Sequence, residues 1–195
     1  MKRLALSALL ILFVTLFASC GDDDDVVYSP KPRGYMRIDF PQKTYTHFAA
    51  DCPFEFDIPT YSSMLLNTSK NAEPCWYNLH FNSFKATLHL SYKPVNNNLA
   101  KYLDDAHEIA NKHQIKATGV DEITVVRDSA KVYGLIFDIA GNAASPLQFY
   151  LTDSTKHFLR GSLYFNAVPN ADSLKIVVDF LKKDVLNMIN TTKWK

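Results

Sequence analysis

Pro146-Leu147-Gln148-Phe149-Tyr150-Leu151-Thr152 and Lys156-His157-Phe158-Leu159-Arg160-Gly161-Ser162-Leu163-Tyr164-Phe165-Asn166 are two runs rich in strand formers, separated only by Asp153-Ser154-Thr155. A three-residue polar turn between such runs predicts an antiparallel hairpin, because Asp and Ser bond to their own backbone there. Working outward, Lys131 to Ile139 alternates, with Tyr133, Leu135, Phe137 and Ile139 on one face. Asp128-Ser129 offers the turn before it, and Ile115 to Arg127 leads through another strand. Downstream, Leu174, Val177, Val178, Leu181, Val185 and Met188 recur at helical spacing and predict a helix from about Asp172 to Ile189.

Further upstream, Trp76 to Phe81 and Ala86 to Tyr92 read as strands. In the second, Ala86, Leu88, Leu90 and Tyr92 face one way and Thr87, His89 and Ser91 the other. Pro94 and Asn96-Asn97-Asn98 end it, and Leu99, Tyr102, Leu103, Ala106, Ile109 and Ala110 form a helical stripe with Asn98 as cap. Strands in hairpin order with one inserted and one terminal helix predict an α+β domain, an antiparallel sheet flanked by helices. Residues 21–60 read as an extended segment. Its prolines prevent long helices, its aromatic rings supply anchors, and short strands are expected at Tyr35–Asp39 and Cys52–Ile58.

The chain opens on Lys2 and Arg3, an uncharged apolar run from Leu4 to Ala18, and Ala18-Ser19-Cys20. That run suits a cleaved export signal rather than a spanning helix. With Cys20 at its end, the pattern predicts a lipoprotein signal over residues 1–19, with lipid attached to Cys20. An acidic and Pro-rich tether over 20–34 and a single globular domain over 35–195 follow. The stretch Asp22 to Asp25 repels itself into an extended, solvated segment. It also resembles the surface-export signals of Bacteroidetes lipoproteins.

Removing Lys2 and Arg3 with the signal leaves 19 basic and 20 acidic residues, so nothing favours a nucleic-acid partner. Cys52 and Cys75 remain, and outside the cytoplasm an isolated pair is expected to be a disulfide. There is no CxxC, HExxH, GxSxG or phosphate-binding glycine motif. The histidines therefore read as surface or polar-face groups, and no catalytic residue, metal or cofactor is predicted. Asp128-Ser129-Ala130, Asp153-Ser154-Thr155 and Asp172-Ser173-Leu174 resemble the O-glycosylation triplet of Bacteroidetes exported proteins. Ser129, Ser154 and Ser173 are the candidate acceptors, although turns and caps favour the same residues.

Longer strings carry a family resemblance. Tyr28-Ser29-Pro30-Lys31-Pro32-Arg33-Gly34-Tyr35-Met36-Arg37-Ile38-Asp39-Phe40-Pro41, Cys52-Pro53-Phe54, Cys75-Trp76-Tyr77-Asn78, Leu88-His89-Leu90-Ser91-Tyr92-Lys93-Pro94 and His157 to Phe165 resemble the gliding motility lipoprotein GldD family of Bacteroidetes. The resemblance implies an envelope lipoprotein of the gliding apparatus, linked to type IX secretion, without catalytic residues to carry over. The element order is also similar to the Mog1/PsbP-like fold, an analogy of fold that carries no function by itself.

The expected function is thus a non-enzymatic accessory or scaffold lipoprotein, membrane-anchored through Cys20, on the outer membrane. Its partners would be other gliding and type IX secretion envelope proteins. The rival is a surface lipoprotein that holds a glycan or other small ligand on its aromatic-rich sheet. A third reading is a hydrolase with a site near His89 or His157.

Overall fold

In the computed structural model, which describes residues 37–113, 117–166 and 171–195, the helices and strands of the described residues lie in the unit Ile38–Lys195. The strands are β1 (Tyr45–Ala49), β2 (Phe54–Pro59), β3 (Ser63–Leu66), β4 (Tyr77–Phe81), β5 (Ala86–Pro94), β6 (Ala117–Arg127), β7 (Val132–Gly141), β8 (Leu147–Thr152), β9 (His157–Phe165) and β10 (Lys193–Trp194). Helix α1 spans Leu99–His113 and α2 spans Ala171–Thr191. A seven-stranded antiparallel sheet has the order β3-β4-β5-β9-β8-β7-β6, and a three-stranded sheet the order β1-β2-β10. The architecture is α+β.

The hairpin read from the sequence is present, with β8 and β9 in register from Leu147 opposite Leu163 to Thr152 opposite Phe158. On β5, Ala86, Leu88 and Leu90 are buried, and this face meets α2 and the small sheet in the main core. Strand β2 contributes Phe54, Phe56 and Ile58 to that core, and α2 contributes Val177, Leu181, Val185, Met188 and Ile189. On β7 both faces are covered. Val132 and Ile136 join the main core, while Phe137 and Ile139 pack with Ala110 of α1 on the other side. Central antiparallel strands read as apolar on both faces when helices lie on both sides. Close packing of the sheet also fixes Gly161, because a Cβ there would come within 2.2 Å of the Phe149 ring.

The leading segment differs from its expected form. Of the strand expected at Tyr35–Asp39, positions 35 and 36 lie outside the described residues, and 37–39 form no strand. Phe40 instead stacks on Phe180 of α2 at 4.3 Å between ring centroids and on Phe84 at 5.8 Å. Ring packing holds this stretch where Pro41 offers no donor for a ladder. Among the described residues the first strand is β1, five residues on, and β3 and β10 are short pairings that the period-2 pattern does not reveal. Asn98 precedes α1 as expected, and its carbonyl accepts the Tyr102 N–H. Its side-chain oxygen, however, accepts the Asn96 N–H. Cys52 and Cys75 form a disulfide with Cα atoms 5.8 Å apart, tying the start of β2 to the start of β4. Closing a loop of that length stabilises by about 3 kcal/mol in the chain-entropy picture.

Asp184 of α2 is the one charged side chain buried among the described residues, at 1% exposure. Its carboxylate pairs with the Lys43 ammonium at 2.7 Å, and accepts hydrogen bonds from Tyr45 Oη at 3.0 Å and from Tyr61 Oη. Lys43 Nζ also donates to the Phe180 carbonyl at 2.8 Å and sits 3.4 Å from the centroid of the Phe180 ring. Burial lowers the Lys43 ammonium below its ordinary value, against the pull of Asp184. Burial and then the bond to Asp184 push the Tyr45 phenol up to about 12, and the same causes raise Tyr61. Removing one partner of such a buried pair is costly because the other group loses its compensation. Asp184→Ala is expected to lower stability by about 3 kcal/mol in urea unfolding at pH 7. A loss under about 1 kcal/mol would mean that ring packing alone holds the segment.

Candidate functional site

Three connections converge at one end of the large sheet, and a turn-forming Asp starts two of them. Between β6 and β7, Asp128–Ala130 makes a 3-10 turn that ends with Lys131 in the left-handed region at φ 51°. Between β8 and β9, the Asp153 Oδ1 accepts the N–H groups of Thr155 at 3.0 Å and of Lys156 and His157 at 2.8 Å each. Burial works against the Asp153 carboxylate. Those three amides and the Thr155 hydroxyl overcome it, holding the carboxyl well below the usual range. The third element is β10, which pairs with β2 and brings Trp194 and its flanking lysines alongside.

Together these elements enclose an open cleft of about 610 Å³ lined by Arg127, Ser129, Lys131, Asp153, Lys156, His157, Lys193, Trp194 and Lys195, among others. Five cations thus surround one carboxylate in a chain whose formal net charge is only +1. The cations are not equivalent. The Arg127 guanidinium donates to the carbonyls of Ile189 at 3.0 Å and Thr192 at 2.8 Å, closing the C-terminal end of α2. Lys195 Nζ donates to the Ala50 carbonyl at 2.8 Å. Lys131, Lys156 and Lys193 are exposed and carry the cleft's free positive charge. Its wall is an aromatic pair, with His157 stacked on Trp194 at 5.1 Å and 15°. Trp194 Nε1 is anchored on the Lys131 carbonyl at 3.0 Å, and His157 Nδ1 lies 2.9 Å from the Tyr92 hydroxyl. Burial keeps His157 below its ordinary pKa, partly offset by Asp153. A concave surface with clustered free ammoniums attracts and holds anionic groups.

His89 Nδ1 lies 2.7 Å from the Asn78 side-chain oxygen, and its ring meets Tyr164 edge-on at 5.7 Å. His107 packs edge-on against Phe137 and Tyr150 beneath α1. Among the described residues, His47 meets carboxylates, lying 2.9 Å from Asp57 and 3.7 Å from Glu55 across the small sheet. This pairing crosses strands, and no sequence spacing announces it. Among the described residues no group of three His, Cys, Asp or Glu is placed to hold a metal ion.

Of the other sequence candidates, Cys20 and Asp22 to Asp25 lie outside the described residues, as does the Ser173 side chain. Ser129 and Ser154 are both exposed, Ser154 with φ 69°. The fold brings their triplets to the rim of the same cleft, 25 positions apart in the chain. Among the described residues no helix is long and apolar enough to cross a membrane.

A profile of the gliding motility lipoprotein GldD family matches residues 25–194. The chain belongs to that family. It is accordingly a gliding motility lipoprotein, membrane-anchored in the cell envelope. No curated protein matches it significantly. Among solved structures, this GldD-family chain is similar to the cyanobacterial PsbP (CyanoP) of Synechocystis sp. PCC 6803, with a TM-score of 0.49 and 10% identity over 82% of this chain and 98% of that one. The α+β description rests on the strand order itself.

The folded-state carboxyl of Asp153 titrates below its unfolded value of about 4, so its contribution is present above that pH and is lost as the pH falls through and below it. Asp153→Ala is expected to cost about 2 kcal/mol at pH 7. In thermal unfolding, the gap between variant and wild type should narrow steadily as the pH drops below about 4. A gap that is independent of pH would contradict the assignment.

Proposed function

We propose that this GldD-family lipoprotein is a non-enzymatic accessory or scaffold component of the gliding motility and type IX secretion machinery. Family membership over residues 25–194 carries the reading. Cys20 takes a diacylglycerol before residues 1–19 are removed, and its acyl chains, palmitate among them, anchor the protein to the outer membrane. Residues 20–34 serve as tether, and 35–195 form the domain that meets other envelope proteins. More than one acyl chain at a single terminus is what stable anchoring requires. O-glycans at Ser129, Ser154 and Ser173 are part of the same proposal, and intact mass of the native protein tests them.

One observation favours a second reading. Lys131, Lys156 and Lys193 beside the Trp194–His157 stack suit an anionic glycan, whose rings pack on aromatic faces while its acids meet ammoniums. Thermal stabilisation of the wild type by an acidic polysaccharide, lost in Lys131→Glu/Lys156→Glu, would favour it.

The main reading is tested by affinity capture from native envelopes with a tag inserted after Lys70, an exposed loop position. Gliding or type IX secretion components are expected in the eluate, and Cys20→Ser should release the protein from the membrane and abolish gliding. Recovery of the protein alone after cross-linking, or normal gliding in a deletion strain, would overturn the reading.

A further inference from the structure

Strand β6 is the last strand of the large sheet, and its outer edge pairs with nothing among the described residues. A register shift interrupts it between Ala117 and Gly119, after which pairing with β7 runs unbroken from Val120 to Arg127. Soluble proteins usually blunt so long a regular edge. Here Ile123 is 42% and Val126 62% exposed. Being three positions apart on a strand, they leave apolar surface on both faces.

Next to this edge lies a cavity of about 310 Å³ between the β6–β7–β8 end of the sheet and the first turns of α2. Pro146, Phe165, Leu174 and Val178 give it an apolar lining. Its charged wall is unbalanced. Asp138 pairs with Lys182, and Asp179 pairs with Lys175 at 3.2 Å. Asp121 of β6 stands directly opposite Asp138 in the register, lines the same cavity, and has no ion-pair partner among the described residues. Like charges placed opposite one another weaken a strand pair, so a cation arriving at Asp121 is favoured.

We propose that β6 docks an extended segment of a partner envelope protein by strand addition, placing an apolar side chain in the cavity and a Lys or Arg beside Asp121. This rests on the docking function proposed above and names its face. A small apolar ligand would fill the cavity and leave the edge amides, Val126 and the Asp121 charge unmatched. An added strand answers all four features together, with main-chain bonds supplying affinity and alternate side chains supplying specificity.

The test uses the full-length lipoprotein in detergent and a phage-displayed library of random dodecapeptides. Enriched peptides should combine alternating apolar residues with a Lys or Arg. They should bind Asp121→Lys roughly tenfold more weakly, equivalent to about 1.4 kcal/mol, and should protect the amides of 120–127 from hydrogen exchange. Asp121→Asn, a milder change at the same exposed position, guards against misfolding and should show an intermediate loss. Peptides that bind both variants as the wild type, or protect another region, would overturn the proposal. So would self-association of the protein that Asp121→Lys abolishes, since the occupant would then be a second copy. In cells, an Asp121→Lys/Ile123→Lys strain should stop gliding at normal protein level. If that strain glides while the deletion strain does not, strand docking fails and the motility function stands. If both glide, the motility function itself fails.

Discussion

A single buried carboxylate organises the half of the molecule that carries β1, β2 and β10. Asp184 sits one turn from the centre of α2 and draws in Lys43, Tyr45 and Tyr61, which come from before β1, from β1 itself and from after β2. An unpaired carboxylate in this core would cost several kcal/mol, so the leading segment is specified by a charge that tolerates few alternative positions. Phe40 and Phe84 then stack around Phe180, adding apolar area to an arrangement that the ion pair has already registered. The disulfide between Cys52 and Cys75 closes the same region from the other side. Strand β2 is thereby held so that Phe54, Phe56 and Ile58 enter the main core rather than solvent.

The far end of α2 depends on a second, milder device. Its terminal carbonyls meet the Arg127 guanidinium from the end of β6, and the chain turns at once into β10. Because β10 pairs with β2, the last residues are carried to the same end of the domain as the Asp128 and Asp153 turns. The basic cleft is a consequence of this closure. Its free charge comes from the exposed ammoniums of Lys131, Lys156 and Lys193, whereas the side chains of Arg127, Lys195 and Asp153 are engaged in holding its walls. The family is one of gliding motility lipoproteins, and its exposed sheet edge and charged concavity are surfaces open to other molecules.

Much of the fold was legible before any coordinates. Alternation on β5, β8 and β9 and the helical stripe on α2 are local patterns, and each reports the one face that the segment buries. The alternation along β7 presents Tyr133, Leu135, Phe137 and Ile139 as one face. Val132 and Ile136 on the other face were equally telling, and only the presence of α1 on the far side explains both. The leading segment misled because its aromatic residues are spent on ring stacking with Phe84 and Phe180, a long-range partnership that leaves no periodicity.

By itself the sequence determined the two helices and the longer strands, their antiparallel hairpin pairing, the family and the attachment expected at Cys20, because hydrophobic periodicity, turn chemistry and linear motifs are properties of neighbouring residues. Only the tertiary structure decided which charges are buried, which are free and which meet. Asp184 and Asp121 are ordinary acids in the text of the chain. Burial against Lys43 makes the first a structural lock, and placement opposite Asp138 at an open sheet edge makes the second an unanswered charge. The physical reason is that electrostatic environment is set by distances across the fold, 141 positions apart in the first case and 17 in the second, and these follow from packing alone.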